Sequence, residues 1–274
     1  MSARNRDGAV TRAADAARDV ADSRPMNWVA RAGLTARGCI YLLMGVLALL
    51  LALGGRKEVD QRGALTAVAS QPFGRTLVLL LAIGFAAYAL WRLSEAAFGA
   101  AGEGRKVGPR LQSLVRGVSY AVLAVTAVAV LRGTGTTQSA QQQGLTAKIM
   151  RYSGGRVLIG VIGAALVGGG IFMVANGIRG GFMRYFKALP APTRKSIRIL
   201  GTIGNIGRGL VFALVGVFVV SAAWSYSPEK AGGIDVVLKT MMGHAYGRPL
   251  VILAALGLFV FGVYGLAEAR YRRV

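Results

Sequence analysis

Six stretches without a formal charge constrain what this chain can fold into. They span residues 38–55, 76–91, 117–131, 157–178, 209–228 and 249–267. A helix needs about 20 mostly apolar residues to cross a bilayer core about 30 Å thick. The two shortest stretches reach this length if charged side chains at their ends extend to the lipid headgroups. The pattern therefore predicts an all-α integral membrane protein with six transmembrane helices.

The composition agrees with a membrane location. Hydrophobic residues make up 54% of the 274-residue chain and charged residues 16%, whereas charged residues make up about 25% of typical soluble domains. The chain holds one cysteine and one histidine, which are too few for a disulfide framework, a Cys/His zinc site or a Ser-His-Asp triad. We therefore expect no catalytic residues, no metal, no cofactor and no enzymatic activity.

The distribution of positive charge predicts the orientation in the membrane. The chain has 33 Lys and Arg against 11 Asp and Glu, a net charge of +22. Twenty-two of these basic residues fall on the side of the two termini, and 11 fall in the three connections on the other side. Basic loops stay in the cytoplasm, so we expect both termini on the cytoplasmic side of a bacterial plasma membrane.

The same charges indicate which partners to expect. The basic residues occur in short groups at helix ends, and no nucleic-acid recognition motif accompanies them. This pattern is typical of contact with the headgroups of anionic lipids. We therefore expect anionic membrane lipid on the cytoplasmic side as a partner, possible contact with another membrane protein, and no nucleic acid.

Three tandem copies of a two-helix unit explain the order of the spans. The first span of each copy opens with Arg-Gly, and an aromatic residue follows four positions after the arginine. The second span opens with Gly-Arg, and Glu or Asn stands 20 residues after that arginine. The residues in the three copies are Arg37, Arg116 and Arg208; then Arg75, Arg156 and Arg248; and finally Glu95, Asn176 and Glu268.

The repeat sets the expected domain boundaries. They are a basic cytoplasmic tail at residues 1–27, disordered or forming a weak interfacial helix, and repeats at 28–104, 105–190 and 191–274. Each copy of two helices enters the membrane from the same side, so the copies should be related by an axis along the membrane normal. The three helical hairpins then form either a closed pseudo-threefold bundle or an open arrangement.

The connections inside the three hairpins carry a pattern of their own. In the third copy the apolar residues Ile234, Val237, Leu238, Met241 and Met242 recur at helical spacing. The first two copies show weaker versions of this pattern. We therefore expect short amphipathic interfacial helices in the outer connections.

Several short segments resemble a known bacterial family. They are Gly-Ala-Leu at 63–65, Gln-Pro-Phe-Gly-Arg at 71–75, Tyr-Ala-Leu-Trp-Arg-Leu at 88–93 and Glu-Ala-Arg-Tyr-Arg-Arg at 268–273. Together they resemble the domain-of-unknown-function family numbered 1206, whose members carry three such two-helix modules. The resemblance covers residues 30–273 and is weakest in the second copy, where Asn176 replaces the acidic residue. It implies the fold and a membrane location, and it transfers no catalytic residue.

Two triplets are the candidate site residues. Glu95, Asn176 and Glu268 are expected at the inner boundary, where they form either a polar ring around the axis or ordinary ion pairs with Arg92 and Arg272 on their own helices. At 1.5 Å per residue, the outer repeat arginines lie about 30 Å away; they are Arg75, Arg156 and Arg248.

The middle of the spans limits the function. The residues ten positions into each span are not ionisable: Leu47, Phe85, Thr126, Leu166, Phe218 and Leu258. The glycines at 168–170 indicate either close packing or a broken helix at a substrate site. No polar stripe marks a conduction path, so we favour a non-catalytic scaffold or accessory subunit. The alternative is a small-solute channel or facilitator that uses the pseudo-threefold axis.

Overall fold

The computed structural model describes residues 24–55, 58–98 and 107–272. Residues 1–23 of the predicted tail lie outside this part of the chain. Six long helices are α1 (Arg24–Ala52), α3 (Gly74–Phe98), α4 (Val107–Leu131), α6 (Gly155–Arg179), α7 (Ala191–Ser225) and α9 (Gly247–Tyr271). Three short ones are α2 (Gln61–Ala69), α5 (Gln138–Met150) and α8 (Gly233–Met242). The described residues form no strand, so the prediction of an all-α fold is confirmed.

All six long helices are apolar and long enough to cross a bilayer, which confirms the number of spans. Their ends differ from the charge-free stretches. The helix predicted from residue 209 begins at Ala191 and runs for 35 residues, or about 52 Å. Lys and Arg are good helix formers, so a charge that ends an apolar stretch does not end the helix.

The connections inside the repeats form the three predicted short helices. The side chain of Asp60 caps α2 by accepting a 2.7 Å hydrogen bond from the Gly63 amide, and Thr137 caps α5 in the same way. Burial of Leu65, Val237 and Leu238 shows that α2 and α8 turn apolar faces onto the bundle.

Equivalent glycines begin the second long helix of every repeat. Gly74, Gly155 and Gly247 open α3, α6 and α9. A Cβ atom at any of them would overlap a backbone carbonyl oxygen of the preceding short helix. The chain therefore turns from each short helix into the next span at a point where only glycine fits without a backbone shift.

The closest packing of the long helices occurs between repeats. The tightly packed pairs are α3 with α4, α6 with α7, and α9 with α1. In each pair the second long helix of one repeat lies against the first long helix of the next. We call such a pair a joint. The third joint brings the last span against the first.

The Arg-Gly motif places a glycine in each joint. A Cβ on Gly38 would lie 3.0 Å from the Gly262 carbonyl oxygen, and one on Gly117 would lie 2.8 Å from the Leu93 side chain. A Cβ on Gly209 would lie 2.7 Å from the carbonyl oxygen of Gly170. Small residues let membrane helices approach closely, and these glycines allow the backbones to meet. Gly170 packs in this way within an unbroken α6, whereas a Cβ on Gly168 or Gly169 would meet no atom within 4 Å.

The pseudo-threefold arrangement is unequal at the contacts within repeats. Helices α7 and α9 pack through Gly204 against Phe261 and through Gly207 against Gly257. Helices α1 and α3 have a lighter contact, and among the described residues α4 and α6 have almost none. The bundle therefore has a gap on one side, between α4 and α6, which we call the α4–α6 opening.

Apolar side chains fill the interior between the joints. Met44, Phe85 and Leu258 are fully buried, and Leu47 is nearly so. The core therefore contains three of the six mid-span residues, namely Leu47, Phe85 and Leu258. Thr126 donates a 2.8 Å hydrogen bond to the Val122 carbonyl oxygen of its own helix, a structural role.

Replacing a turn glycine should destabilise the protein. Gly155→Ala places a methyl group on the Ile149 carbonyl oxygen, and overpacking of this kind costs about 1–3 kcal/mol. Gly168→Ala is the matched control because a Cβ there meets no atom within 4 Å. We expect a lower thermal unfolding midpoint in nanodiscs for Gly155→Ala only. Equal midpoints for the two variants would contradict the tight turn.

Candidate functional site

The two ends of the bundle carry different side chains. The termini end holds the beginnings of α1, α4 and α7 and the last turns of α3, α6 and α9. The connection end carries α2, α5 and α8. The predicted inner triplet lies at the termini end, and the predicted outer arginines lie at the connection end.

The outer arginines cap helices of the neighbouring repeat. The Arg75 guanidinium donates a 2.8 Å hydrogen bond to the Leu131 carbonyl oxygen at the end of α4. Arg156 donates to the carbonyl oxygens of Ala223 and Trp224, at the end of α7. The last carbonyl oxygens of a helix lack partners within it and carry partial negative charge. For Arg248, the structure gives no such bond within the described residues.

Glu268 links the last repeat to the first. It is 4% exposed and accepts charged hydrogen bonds from Arg272 on its own helix and from Arg37 on α1. The pair with Arg272 is the one that the sequence predicted. The pair with Arg37 crosses the α9–α1 joint, and sequence spacing gave no signal for it.

Glu95 occupies the equivalent place at the α3–α4 joint. It accepts a 2.7 Å bond from Arg92 on its own helix and a 3.0 Å bond from the Ser113 hydroxyl on α4. Arg92 also stacks over the Trp91 ring, with its guanidinium carbon 4.3 Å from the ring centroid. Each of the two glutamates thus connects a second long helix to the first long helix of the next repeat.

Asn176 lies at the third joint and makes different contacts. It is half-buried near the end of α6, and its side chain makes no hydrogen bond to the described residues. Thr202 on α7 spans this joint instead, donating a 3.0 Å bond to the Gly177 carbonyl oxygen. Among the described residues, no hydrogen bond or ion pair joins any two members of the predicted inner triplet. Each member lies at its own joint.

A second set of residues meets at the termini end. They are the arginines and aromatic residues of the repeated motif, which in the sequence serve only as landmarks of the repeat. Arg37 and Arg208 stack on the same ring, with guanidinium carbons 5.6 Å and 4.7 Å from the Phe261 centroid. Arg208 also lies 5.2 Å from the Tyr41 centroid and 4.9 Å from the Phe212 centroid. Both aromatic residues belong to the same repeated motif as the arginines.

Arg116 completes this set, which we call the arginine cluster: Arg37, Arg116 and Arg208. Arg116 lies within electrostatic range of Arg37, Arg92 and Arg272. The Tyr120 hydroxyl, four residues further along α4, lies within range of both Arg37 and Arg208. The first long helices of all three repeats therefore bring an arginine to one region. Their equal register in the three copies was the sequence signal for it.

The arginine cluster is only partly paired. Arg37 lies near the termini end of the apolar span that runs from Arg31 to Ala52, and arginine within a span is costly unless it has partners. The Nε atoms of Arg37 and Arg208 are buried without a hydrogen-bond partner. Arg116 makes no hydrogen bond, ion pair or ring contact with the described residues.

A buried acidic pair holds the connection end together. Asp235 on α8 accepts a 2.9 Å bond from the Val59 amide and a 2.8 Å bond from Lys239, and the Ser139 hydroxyl of α5 lies 3.4 Å away. Asp60 is 3% exposed. Burial and the nearby carboxylates of Glu58 and Asp235 raise the pKa of Asp60 to about 6. These contacts join all three connections.

Comparison with known proteins identifies the family. The model of the Domain of Unknown Function family DUF1206 matches three times, at residues 32–99, 111–180 and 203–272. The uncharacterized protein YxxB of Bacillus subtilis (strain 168) is 27% identical over 253 residues, which cover 89% of this chain and 90% of the relative. No solved structure matches the chain. The chain belongs to the DUF1206 family, whose function is unknown.

Removing the Glu268 carboxylate should destabilise the bundle. In Glu268→Gln, the charges of Arg37 and Arg272 lose their shared buried partner, and breaking a buried pair costs about 3–5 kcal/mol. Glu229→Gln is the control, because Glu229 is exposed and its side chain makes no ion pair within the described residues. Thermal unfolding in nanodiscs should show a large loss for Glu268→Gln alone. A small loss would mean that the joint does not need this carboxylate.

Stability should fall as the pH rises through the range in which Asp60 titrates. The pKa of Asp60 is about 6 in the folded state against 3.8 for an unperturbed aspartate, so the folded state binds this proton more tightly. The free energy of unfolding should drop by at most about 3 kcal/mol between pH 4 and pH 7. Asp60→Asn should lack this component. Parallel pH profiles of the two proteins, measured by chemical denaturation, would contradict it.

Proposed function

We propose that this DUF1206 protein is a non-catalytic scaffold or accessory subunit of the bacterial plasma membrane, which packs against membrane partners and anionic lipid. The observation that carries the proposal is the filled interior. Buried apolar side chains from several long helices meet there, among them Met44, Phe85 and Leu258. A protein built in this way offers its outer surface for interaction.

The outer surface supports the same role. Large apolar side chains are exposed on every long helix; examples are Leu50, Leu90, Val125, Phe172, Leu210 and Leu253. In a bilayer such surfaces face lipid tails or the apolar faces of other membrane helices. The helices α4 and α6 are the least covered by the rest of the chain. They flank the α4–α6 opening and are the surface that we propose for a partner.

A second candidate is an anion channel or facilitator along the pseudo-threefold axis. The observation that favours it is the arginine cluster at the termini end, since rings of Arg or Lys select anions in pores. The buried apolar side chains in the middle of the bundle argue against a permanent path. A facilitator would have to move these side chains apart at each transport event.

The orientation that we propose has both termini in the cytoplasm. It rests on the larger number of basic residues at the termini end, as the positive-inside rule requires. In this orientation the arginine cluster lies toward the cytoplasmic leaflet. The acidic pair of Asp60 and Asp235 then lies at the outer side.

Cysteine labelling tests the orientation. Gln141→Cys on α5 and Ser196→Cys on α7 place thiols at exposed positions on opposite ends, each in a Cys39→Ser background. An impermeant thiol reagent added to intact cells should label the cysteine at 141 and not the one at 196. Labelling of both after permeabilisation is the control for reactivity. The reverse pattern in intact cells would overturn the orientation.

Extraction and flux measurements separate the two candidate functions. A scaffold should copurify with a membrane protein at fixed stoichiometry when native membranes are extracted with a polymer, and vesicles containing the purified protein should be no leakier to chloride or phosphate than empty vesicles. A saturable anion flux that Arg116→Gln lowers would instead support the facilitator. The scaffold role fails if no membrane protein copurifies at a fixed stoichiometry.

A further inference from the structure

We propose that the arginine cluster is a binding site for a phosphate-type anion, which reaches it through the α4–α6 opening or from the termini end. The inference rests on the membrane role proposed above and names the residues at which an anionic group is held. The ligand is either the headgroup of an anionic phospholipid or a free phosphate, which share the same chemistry.

The repeated motif places the three arginines at the same register of the first long helices. In each copy the glycine after the arginine lies in the joint, against the preceding second long helix, so each arginine lies next to a joint. Arg37 bonds Glu268 across its joint. The Arg208 guanidinium stacks on Phe212 of its own copy and on Tyr41 of the first copy.

The charge of this region is unbalanced. Five arginines lie close together here: Arg37, Arg92, Arg116, Arg208 and Arg272. Arg116 interacts electrostatically with Arg37, Arg92 and Arg272, and Arg37 and Arg208 stack on the same Phe261 ring. Glu95 and Glu268 supply the two carboxylates that pair with arginines here. These seven side chains therefore carry a net charge of +3, and Arg116 and Arg208 pair with no carboxylate among the described residues. Like charges held together in a membrane require a counter-ion, and a bound anion supplies it.

The unused hydrogen-bond donors agree with the charge count. The buried Nε atoms of Arg37 and Arg208 have no acceptor, and Arg116 offers all of its N–H groups. Guanidinium groups bind carboxylate and phosphate oxygens through paired N–H donors. A carboxylate presents two oxygens in one plane. A phosphate presents oxygens in several directions, as three arginines from three helices require.

The α4–α6 opening gives a lipid access to the cluster. Helix α4 forms one wall of this opening, and Arg116 lies directly before the charge-free part of α4. Helix α6 forms the other wall, and Arg208 lies on α7, which packs against α6 in a joint. Both walls carry exposed apolar side chains at this level, Val118 and Val122 on α4 and Ile171 and Phe172 on α6. A lipid could place its headgroup at the arginines and its acyl chains along these walls. Arg37, whose side chain is 25% exposed, is also reachable from the termini end.

Arg116→Gln tests the site in the full-length protein. The side chain makes no bond to the described residues, so its unfolding midpoint in phosphatidylcholine nanodiscs should stay close to the wild-type value. Adding phosphatidylglycerol to the nanodiscs should raise the wild-type midpoint. The variant should need about tenfold more of this lipid for the same rise, because it lacks one charged hydrogen-bond donor.

Three further variants define the specificity of the effect. Arg194→Gln removes the same charge from an exposed position on α7 and should respond to phosphatidylglycerol like the wild type. Arg116→Lys keeps the charge and should recover part of the response. Arg208→Lys keeps the charge but loses the planar fork and its stacking on three rings, so its response should weaken. If Arg116→Gln fails to fold, Arg208→Lys serves as the test.

The outcomes separate the two ligand sources and the two proposals. A rise caused by inorganic phosphate in phosphatidylcholine nanodiscs, lost in Arg116→Gln and absent with phosphatidylglycerol, identifies free phosphate. Equal responses of Arg116→Gln and Arg194→Gln to both ligands would overturn the site. If a protein partner still copurifies in that case, the scaffold role stands without the site. If the cluster binds anions but no partner copurifies, the site stands and the scaffold role fails.

Discussion

The close approach of helices across repeats is the contact on which this structure depends. Each repeat supplies a first helix with a glycine surface, and the second helix of the preceding repeat packs onto it. In a bilayer, lipid tails are as apolar as leucine, so helices associate through close packing and polar contacts between them. The joints combine both, because Glu95, Glu268 and the capping arginines bond across them. The two helices of one repeat are covalent neighbours, but among the described residues they pack lightly in repeat 1 and hardly touch in repeat 2.

Although the three joints between repeats are similar, the contacts between the two long helices within each repeat are not equal. Helices α7 and α9 pack closely through glycines, whereas α4 and α6 hardly touch among the described residues. A Cβ on Gly168 or Gly169 of α6 would meet no atom within 4 Å. The second copy, which carries Asn176 where the other two carry glutamate, is thus also the copy whose two long helices lie apart. The α4–α6 opening is the result.

The sequence predicted the elements better than their partners. Charge-free stretches located all six spans, and the repeat landmarks located the turns at Gly74, Gly155 and Gly247, because both features are local. The pairing of the helices was not local. Hairpin reasoning placed α1 beside α3, although α1 packs most closely on α9, more than 200 residues later. The bond from Arg37 to Glu268 follows from that pairing. No spacing rule along the chain contains it, so the repeat showed the equal register of Arg37, Arg116 and Arg208 but not that they meet in one region.

The α9–α1 joint has a consequence for biosynthesis. A ribosome makes α1 first and its packing partner last, so the first span must enter the membrane and wait until almost the whole chain has been inserted. During that interval its glycine surface faces lipid and the Arg37 charge lacks Glu268. The other two joints form between spans that are made in succession. The final helix therefore docks onto the first in a single late step, and a chain interrupted before α9 leaves the joint surface of α1 uncovered and Arg37 without Glu268.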